Sequence, residues 1–181
     1  MWRLSTLPQY LPAEDVERTI TACDPSTPLG ARDQAIILLM ARLGLRGSDV
    51  VGLRFPDLNW QDATLVVSGK SRRETCLPLP QDVGDALLHY LEYARPPVDI
   101  DHVFITAIAP WGPLSRAVIR QTAARAITRA GIRAPTSGSR VFRHSAATTM
   151  LRQGASLQTI GDILRHTSME TSAHYTYCMP L

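Results

Sequence analysis

Lysine is almost missing from this chain: of nineteen basic residues in 181, only Lys70 is a lysine and the rest are arginines. Against that background a lone lysine hints that its position needs an ammonium group. Cysteine is sparse as well. Cys23, Cys76 and Cys178 are scattered, with no C-x-x-C pair and no regular spacing to histidine, which speaks against a disulfide framework or a zinc site and leaves buried or incidental thiols. No long apolar run exists. The longest, Ala35 to Ala41, is far too short to span a bilayer, and Met1-Trp2-Arg3-Leu4 leads to Pro8 instead of a signal-peptide core. A cytoplasmic protein with no membrane partner is expected. Carboxylates are spread singly, without a pair beside a histidine at ligand spacing, so a metal-dependent nuclease is disfavoured. Gly44, Gly47 and Gly52 lack the spacing, lysine and serine of a phosphate-binding loop. The expectation is chemistry without a metal or small-molecule cofactor. No repeat, low-complexity segment or long linker divides the chain, and 181 residues suffice for one core, so residues 1–181 are read as a single domain.

What is present is a charge asymmetry. Residues 1–100 carry ten Lys+Arg against thirteen Asp+Glu, whereas residues 101–181 carry nine arginines against Asp101, Asp162 and Glu170. The C-terminal part is the half that a polyanion would prefer, although a solvated basic face has the same composition.

Hydrophobic spacing predicts a mainly α fold with a small antiparallel β-sheet. Pro12 with Glu14 and Asp15 opens a helix running to about Ala22. Ala31 to Leu43 reads as the central core helix, with Gly44 as its C-terminal cap, and Ser48 as the N-cap of a short helix over Asp49 to Leu53. Arg46 then sits in the tight link between two buried elements. Thr64–Val67 and Thr75–Pro78 are strand-like and flank Ser68-Gly69-Lys70-Ser71-Arg72-Arg73, which predicts a β-hairpin with a basic tip. Further helices are expected over Gln81–Tyr93, from a Ser115 cap to Ala130 and Gly131, over Phe142–Gln153, over Leu157–Leu164 with Ser156 as cap, and around Glu170–Tyr175. A short strand is expected at Val103–Ile105.

Without a metal, a protein that handles phosphate must use arginines, whose guanidinium is always charged and forks onto two oxygens. Arg46 and Arg143 suit that task. Their surroundings form an ordered series: Gly44-Leu45-Arg46-Gly47-Ser48-Asp49, then Gly69-Lys70-Ser71, Arg143-His144-Ser145-Ala146-Ala147-Thr148, Leu164-Arg165-His166-Thr167-Ser168, and Tyr175. This series resembles the catalytic domain of the tyrosine recombinase (phage integrase) family, in motif order and in the intervals from Arg46 to Lys70, Arg143 to His166 and His166 to Tyr175. The resemblance covers about residues 7–177. It implies a tyrosine recombinase catalytic-domain-like fold and a site-specific recombinase that breaks and rejoins DNA through a 3′-phosphotyrosyl intermediate, without metal or ATP. It also implies roles: Arg46 and Arg143 on the scissile phosphate, Lys70 protonating the leaving 5′ oxygen, His166 supporting the phosphate, and Tyr175 attacking. Double-stranded DNA and other recombinase protomers would be the partners, with the protein on the nucleoid when bound.

The residue chemistry agrees with those roles. A phenol with a pKa of about 10 needs cationic neighbours and a proton acceptor to attack near neutrality, and an ammonium is a competent proton donor. Two departures stand out. The family usually has histidine three residues before the second arginine, where this chain has Arg140, which donates hydrogen bonds but cannot accept a proton at neutral pH. The family's N-terminal core-binding domain and its C-terminal tail segment are also expected to be absent. Arg72, Arg73, Arg116 and Arg120 are candidate DNA contacts, while Arg125 and Arg129 project to the other side of their helix. Asp49 is expected to orient Arg46, and His144 to be structural. The rival readings are a catalytically impaired DNA-binding remnant or accessory protein, and a type IB topoisomerase-like relaxing activity.

Overall fold

The computed structural model describes residues 10–68, 74–134 and 138–165. Seven α-helices and one small sheet are seen among them: α1 (Ala13–Thr21), α2 (Pro28–Leu43), α3 (Gly47–Gly52), β1 (Leu58–Asn59), β2 (Thr64–Ser68), β3 (Glu74–Pro78), α4 (Gln81–His89), α5 (Arg116–Arg129), α6 (Arg140–Arg152) and α7 (Leu157–Leu164). The mainly α reading with a small antiparallel sheet therefore holds. Strand order is β1-β2-β3, with Leu65 opposite Leu77 and Ser68 opposite Glu74. No helix among the described residues is long and apolar enough to cross a membrane.

The core is built around α2, as the apolar run predicts. Ala35, Ile36, Ile37, Leu39 and Met40 are each 0% exposed, because α1, α4, α5 and α6 all pack against this helix. A helix apolar on every side is one that neighbours surround. Within this packing Arg32 and Asp33 form a buried ion pair, and Thr122 of α5 donates to Asp33 Oδ1 at 3.4 Å. Cys23 is buried, and that burial pushes its thiol up to about 11, in keeping with an inert residue.

Several boundaries differ from expectation. Helix α2 begins at Pro28, not Ala31, since Thr27 caps it through Gly30 N–H (3.0 Å) and proline is well suited to the first helical turn. Helix α3 is capped at Arg46, not Ser48, with the Asp49 carboxylate accepting the Arg46 N–H at 2.8 Å. Helix α4 continues into a π-helical turn over Tyr90–Ala94, in which Arg95 N–H reaches Tyr90 O at 2.7 Å. Val103–Ile105 is not a strand. These residues are buried, and their backbone is met by isolated contacts, Val103 N–H to Leu53 O and Leu114 N–H to Phe104 O, while the Arg95 guanidinium takes the carbonyls of Ile100, His102 and Val103 that a ladder would use. Strand β1 was not foreseen; two residues carry too little pattern to read. The expected helix around Glu170–Tyr175 and the hairpin tip lie outside the described residues.

Candidate active site

Two helix ends meet at the candidate site. Gly44, the C-cap of α2, has a left-handed φ of 61°, and a Cβ there would overlap the Leu164 side chain, so α7 ends directly against it. The free carbonyls of these two ends point at arginines. Arg143, on α6 and 8% exposed, donates from Nη1 to Gly44 O at 2.7 Å and from Nη2 to Leu164 O. Arg46 donates from Nη2 to Arg165 O at 3.1 Å. The negative ends of two helix dipoles thus stabilise two guanidiniums that burial would otherwise disfavour. Carbonyl oxygens fix the arginines without cancelling their formal charge. An anion is the ligand such an arrangement suits.

A second set of contacts joins the start of α3 to the end of α7. Asp49 Oδ2 accepts the Arg46 backbone N–H and also pairs with Arg165 Nη2. The expectation that Asp49 orients Arg46 is met through the main chain, and Arg165, absent from the sequence-based candidates, enters the site. Its signal in the sequence was weak: a single arginine directly before His166.

The remaining candidates divide. Arg140 is exposed on the first turn of α6, one turn before Arg143. Arg116 and Arg120 are exposed on the first half of α5. Gly138, with φ 115°, lies under the Arg120 stem, and a Cβ on Gly47 would lie 3.3 Å from Ile119 Cγ2 and 3.5 Å from Ser139 Oγ. Helix α5 and the start of α6 are thereby set beside the Arg46 turn. Arg125 and Arg129 face elsewhere, toward Thr122 and Asp33 and toward Ala22 O respectively. The imidazole pKa of His144 is lowered, by its burial first and then by the Arg143 and Arg140 guanidiniums. Lys70, Arg72, Arg73, His166 and Tyr175 lie outside the described residues. A cleft of about 750 Å³ opens between α1, α2 and α4, but its lining of Glu17, Asp82, Asp85 and Arg42 includes none of these residues.

Residues 9–179 match the model of the phage integrase family. The chain belongs to that family. Among curated relatives, a Sinorhizobium fredii protein named as an integrase/recombinase, y4rA, is 43% identical over 175 residues, which are 96% of this chain and 42% of that one. The tyrosine recombinase XerD of Listeria innocua is 33% identical over 97% of this chain and 60% of its own length. The chain therefore spans about two-fifths to three-fifths of these relatives. Among solved structures, XerA recombinase superposes with a TM-score of 0.82 at 26% identity, covering 97% of this chain and 60% of that one. XerH bound to a palindromic difH substrate in a post-cleavage complex gives 0.83 at 25% identity, covering 96% and 50%. The fold is that of a tyrosine recombinase catalytic domain.

Proposed function

We propose that this phage integrase family chain carries the catalytic site of a site-specific DNA recombinase working through a covalent 3′-phosphotyrosyl intermediate. The observation that carries the reading is the convergence of Arg46 and Arg143 on the adjacent carbonyls of Arg165 and Leu164, immediately before His166. In the reaction, Tyr175, its proton passed to solvent and its phenolate favoured by cationic neighbours, forms a bond from Oη to the scissile phosphorus as the bond to the 5′ oxygen breaks. Arg46 and Arg143 stabilise the charge gathering on the non-bridging oxygens. Lys70 gives a proton to the leaving 5′ oxygen, and His166 supports the phosphate. The phosphotyrosyl bond replaces one phosphodiester, so reversal by a 5′ hydroxyl rejoins a strand without ATP or a metal ion.

Arg140 adds a donor to the phosphate, at the start of a helix whose Ser139 N-cap makes no side-chain hydrogen bond. Arg72, Arg73, Arg116 and Arg120 contact duplex backbone, and further protomers complete the recombining assembly on DNA. The same Arg140 favours a second reading, a DNA-binding protein with impaired turnover, since guanidinium cannot take the phenol proton.

Nicked suicide duplexes from a randomised pool separate the two. A denaturation-resistant adduct, mapped to Tyr175 and absent in Tyr175→Phe, supports the enzyme. Salt-sensitive binding without an adduct supports the binding protein. Relaxation of supercoiled plasmid without strand exchange would assign the chemistry to a topoisomerase-like activity.

A further inference from the structure

Arg165 is held under conditions that a glycine would escape. It caps α7 with φ 53°, in the left-handed region that L side chains enter only against steric resistance. Its side chain is 8% exposed, and inside that burial Nε and Nη1 have no hydrogen-bond partner among the described residues. A shielded guanidinium with unmet donors weakens a fold. Stability alone gives no reason for arginine here. Apart from the cap bond of its N–H to Asp162 O, the contacts that Arg165 makes lead to Arg46. Its Nη2 pairs with Asp49 Oδ2, the same oxygen accepts the Arg46 N–H, and its own carbonyl accepts from Arg46 Nη2.

We infer that Arg165 is a positioning residue of the reaction: its pair with Asp49 clamps the start of α3 to the end of α7 and holds Arg46 by backbone and guanidinium at once. The neighbouring carbonyl of Leu164 holds Arg143, so the clamp keeps the two arginines in register with each other. Arg165 acts through Arg46 and touches no reacting atom. The inference rests on the recombinase reading above.

The test uses the full chain carrying Arg165→Gly, Arg165→Lys, Asp49→Asn, or both Arg165→Gly and Asp49→Asn. Three quantities are read: the adduct rate at saturating suicide duplex, the melting temperature, and the ¹⁵N–¹H signal of Arg46 Nε in DNA-free protein. Glycine should slow adduct formation by about tenfold or more, with duplex Kd within about threefold. Its melting temperature should stay within about 3 °C of wild type or rise, since the backbone is relieved while one ion pair is lost. The Arg46 signal should move toward that of an exposed arginine. Lysine should recover part of the rate, and the double variant should be no slower than the slower single, as two halves of one clamp require.

An unchanged rate in Arg165→Gly would overturn the inference, as would an unchanged Arg46 signal. So would a rate loss matched by collapse of the melting temperature, which marks a plain structural staple. If wild type forms no adduct on any duplex, the recombinase reading fails on its own. The Arg46 signal then still decides whether Arg165 positions it.

Discussion

Arg42 belongs to the last turn of α2 and Arg143 reaches the C-cap of that same helix from α6, yet the protein surrounds these two arginines differently. Arg42, in the last turn of α2, is gripped by carboxylates: Nη1 and Nη2 reach Glu17 at 2.6 and 3.0 Å, and Nε reaches Asp82 at 2.7 Å. Those partners hold its proton even more tightly than usual. Arg143 donates to the carbonyls of Gly44 and Leu164. The first arginine joins α1, α2 and α4 and presents an acidic cleft that would repel a polyanion. The second also joins elements, through the carbonyls at the ends of two helices. The difference between them is one of placement: Arg42 ties together the acidic cleft, whereas Arg143 lies with Arg46 where the ends of α2 and α7 meet.

The sharpest way to break this comparison is to exchange outcomes between the two sites. Arg143→Ala should reduce adduct formation by about 10² to 10³, the usual size for removing one transition-state donor. Arg42→Ala should leave the rate within about twofold. Its effect should be seen in thermal unfolding, as a loss of about 1 kcal/mol or a few degrees in Tm. A rate loss in Arg42→Ala as large as that in Arg143→Ala would remove the distinction.

A smaller effect is expected at the platform beneath Arg143. Gly44→Ala adds a Cβ that overlaps Leu164 at a left-handed φ of 61°, so the end of α7 must shift. Destabilisation of about 1–2 kcal/mol is expected from the backbone alone, with cleavage falling because the Gly44 and Leu164 carbonyls separate. Chemical denaturation and adduct rates measured on one preparation check both. Smaller again is the effect of the α5 arginines. Arg116→Ala and Arg120→Ala should each lower the salt slope of duplex binding by about one, whereas Arg129→Ala, whose guanidinium is engaged with Ala22 O, should leave it unchanged.

The smallest effect is a dependence on pH. His144 has a folded pKa below its ordinary 6.5, so the unfolded chain binds the proton more readily than the native protein. Stability on this account is complete above 6.5 and is lost as pH falls from there through the folded value. Unfolding curves collected at descending pH should show this slope, and His144→Gln should flatten it.

Much of this was legible in the sequence, for identifiable reasons. The α2 core, the Gly44 cap, the Ser115 and Ser156 caps and the β2–β3 pairing follow from periodicity and capping, which act over a few residues. The pairing of Arg46 with Arg143 came from the resemblance, because nothing local joins residues so far apart in the chain. The carbonyls that hold them were not readable, since helix-end acceptors belong to the backbone and leave no mark on residue type. Arg165 escaped for a related reason. Its importance lies in a left-handed cap and a buried pair with Asp49, both products of tertiary packing. The failed strand at Val103–Ile105 shows the converse, a β-branched and aromatic run whose burial is satisfied without a ladder.

The central claim is that Arg143 serves the charge of a phosphate and not merely the packing of two helix ends. Its most direct test compares adduct formation by wild type and Arg143→Ala on two duplexes, one with an ordinary phosphate and one with a neutral methylphosphonate at the cleaved position. The account predicts a loss of about 10² or more on the phosphate and rates that nearly converge on the methylphosphonate. Equal losses on both substrates would contradict it.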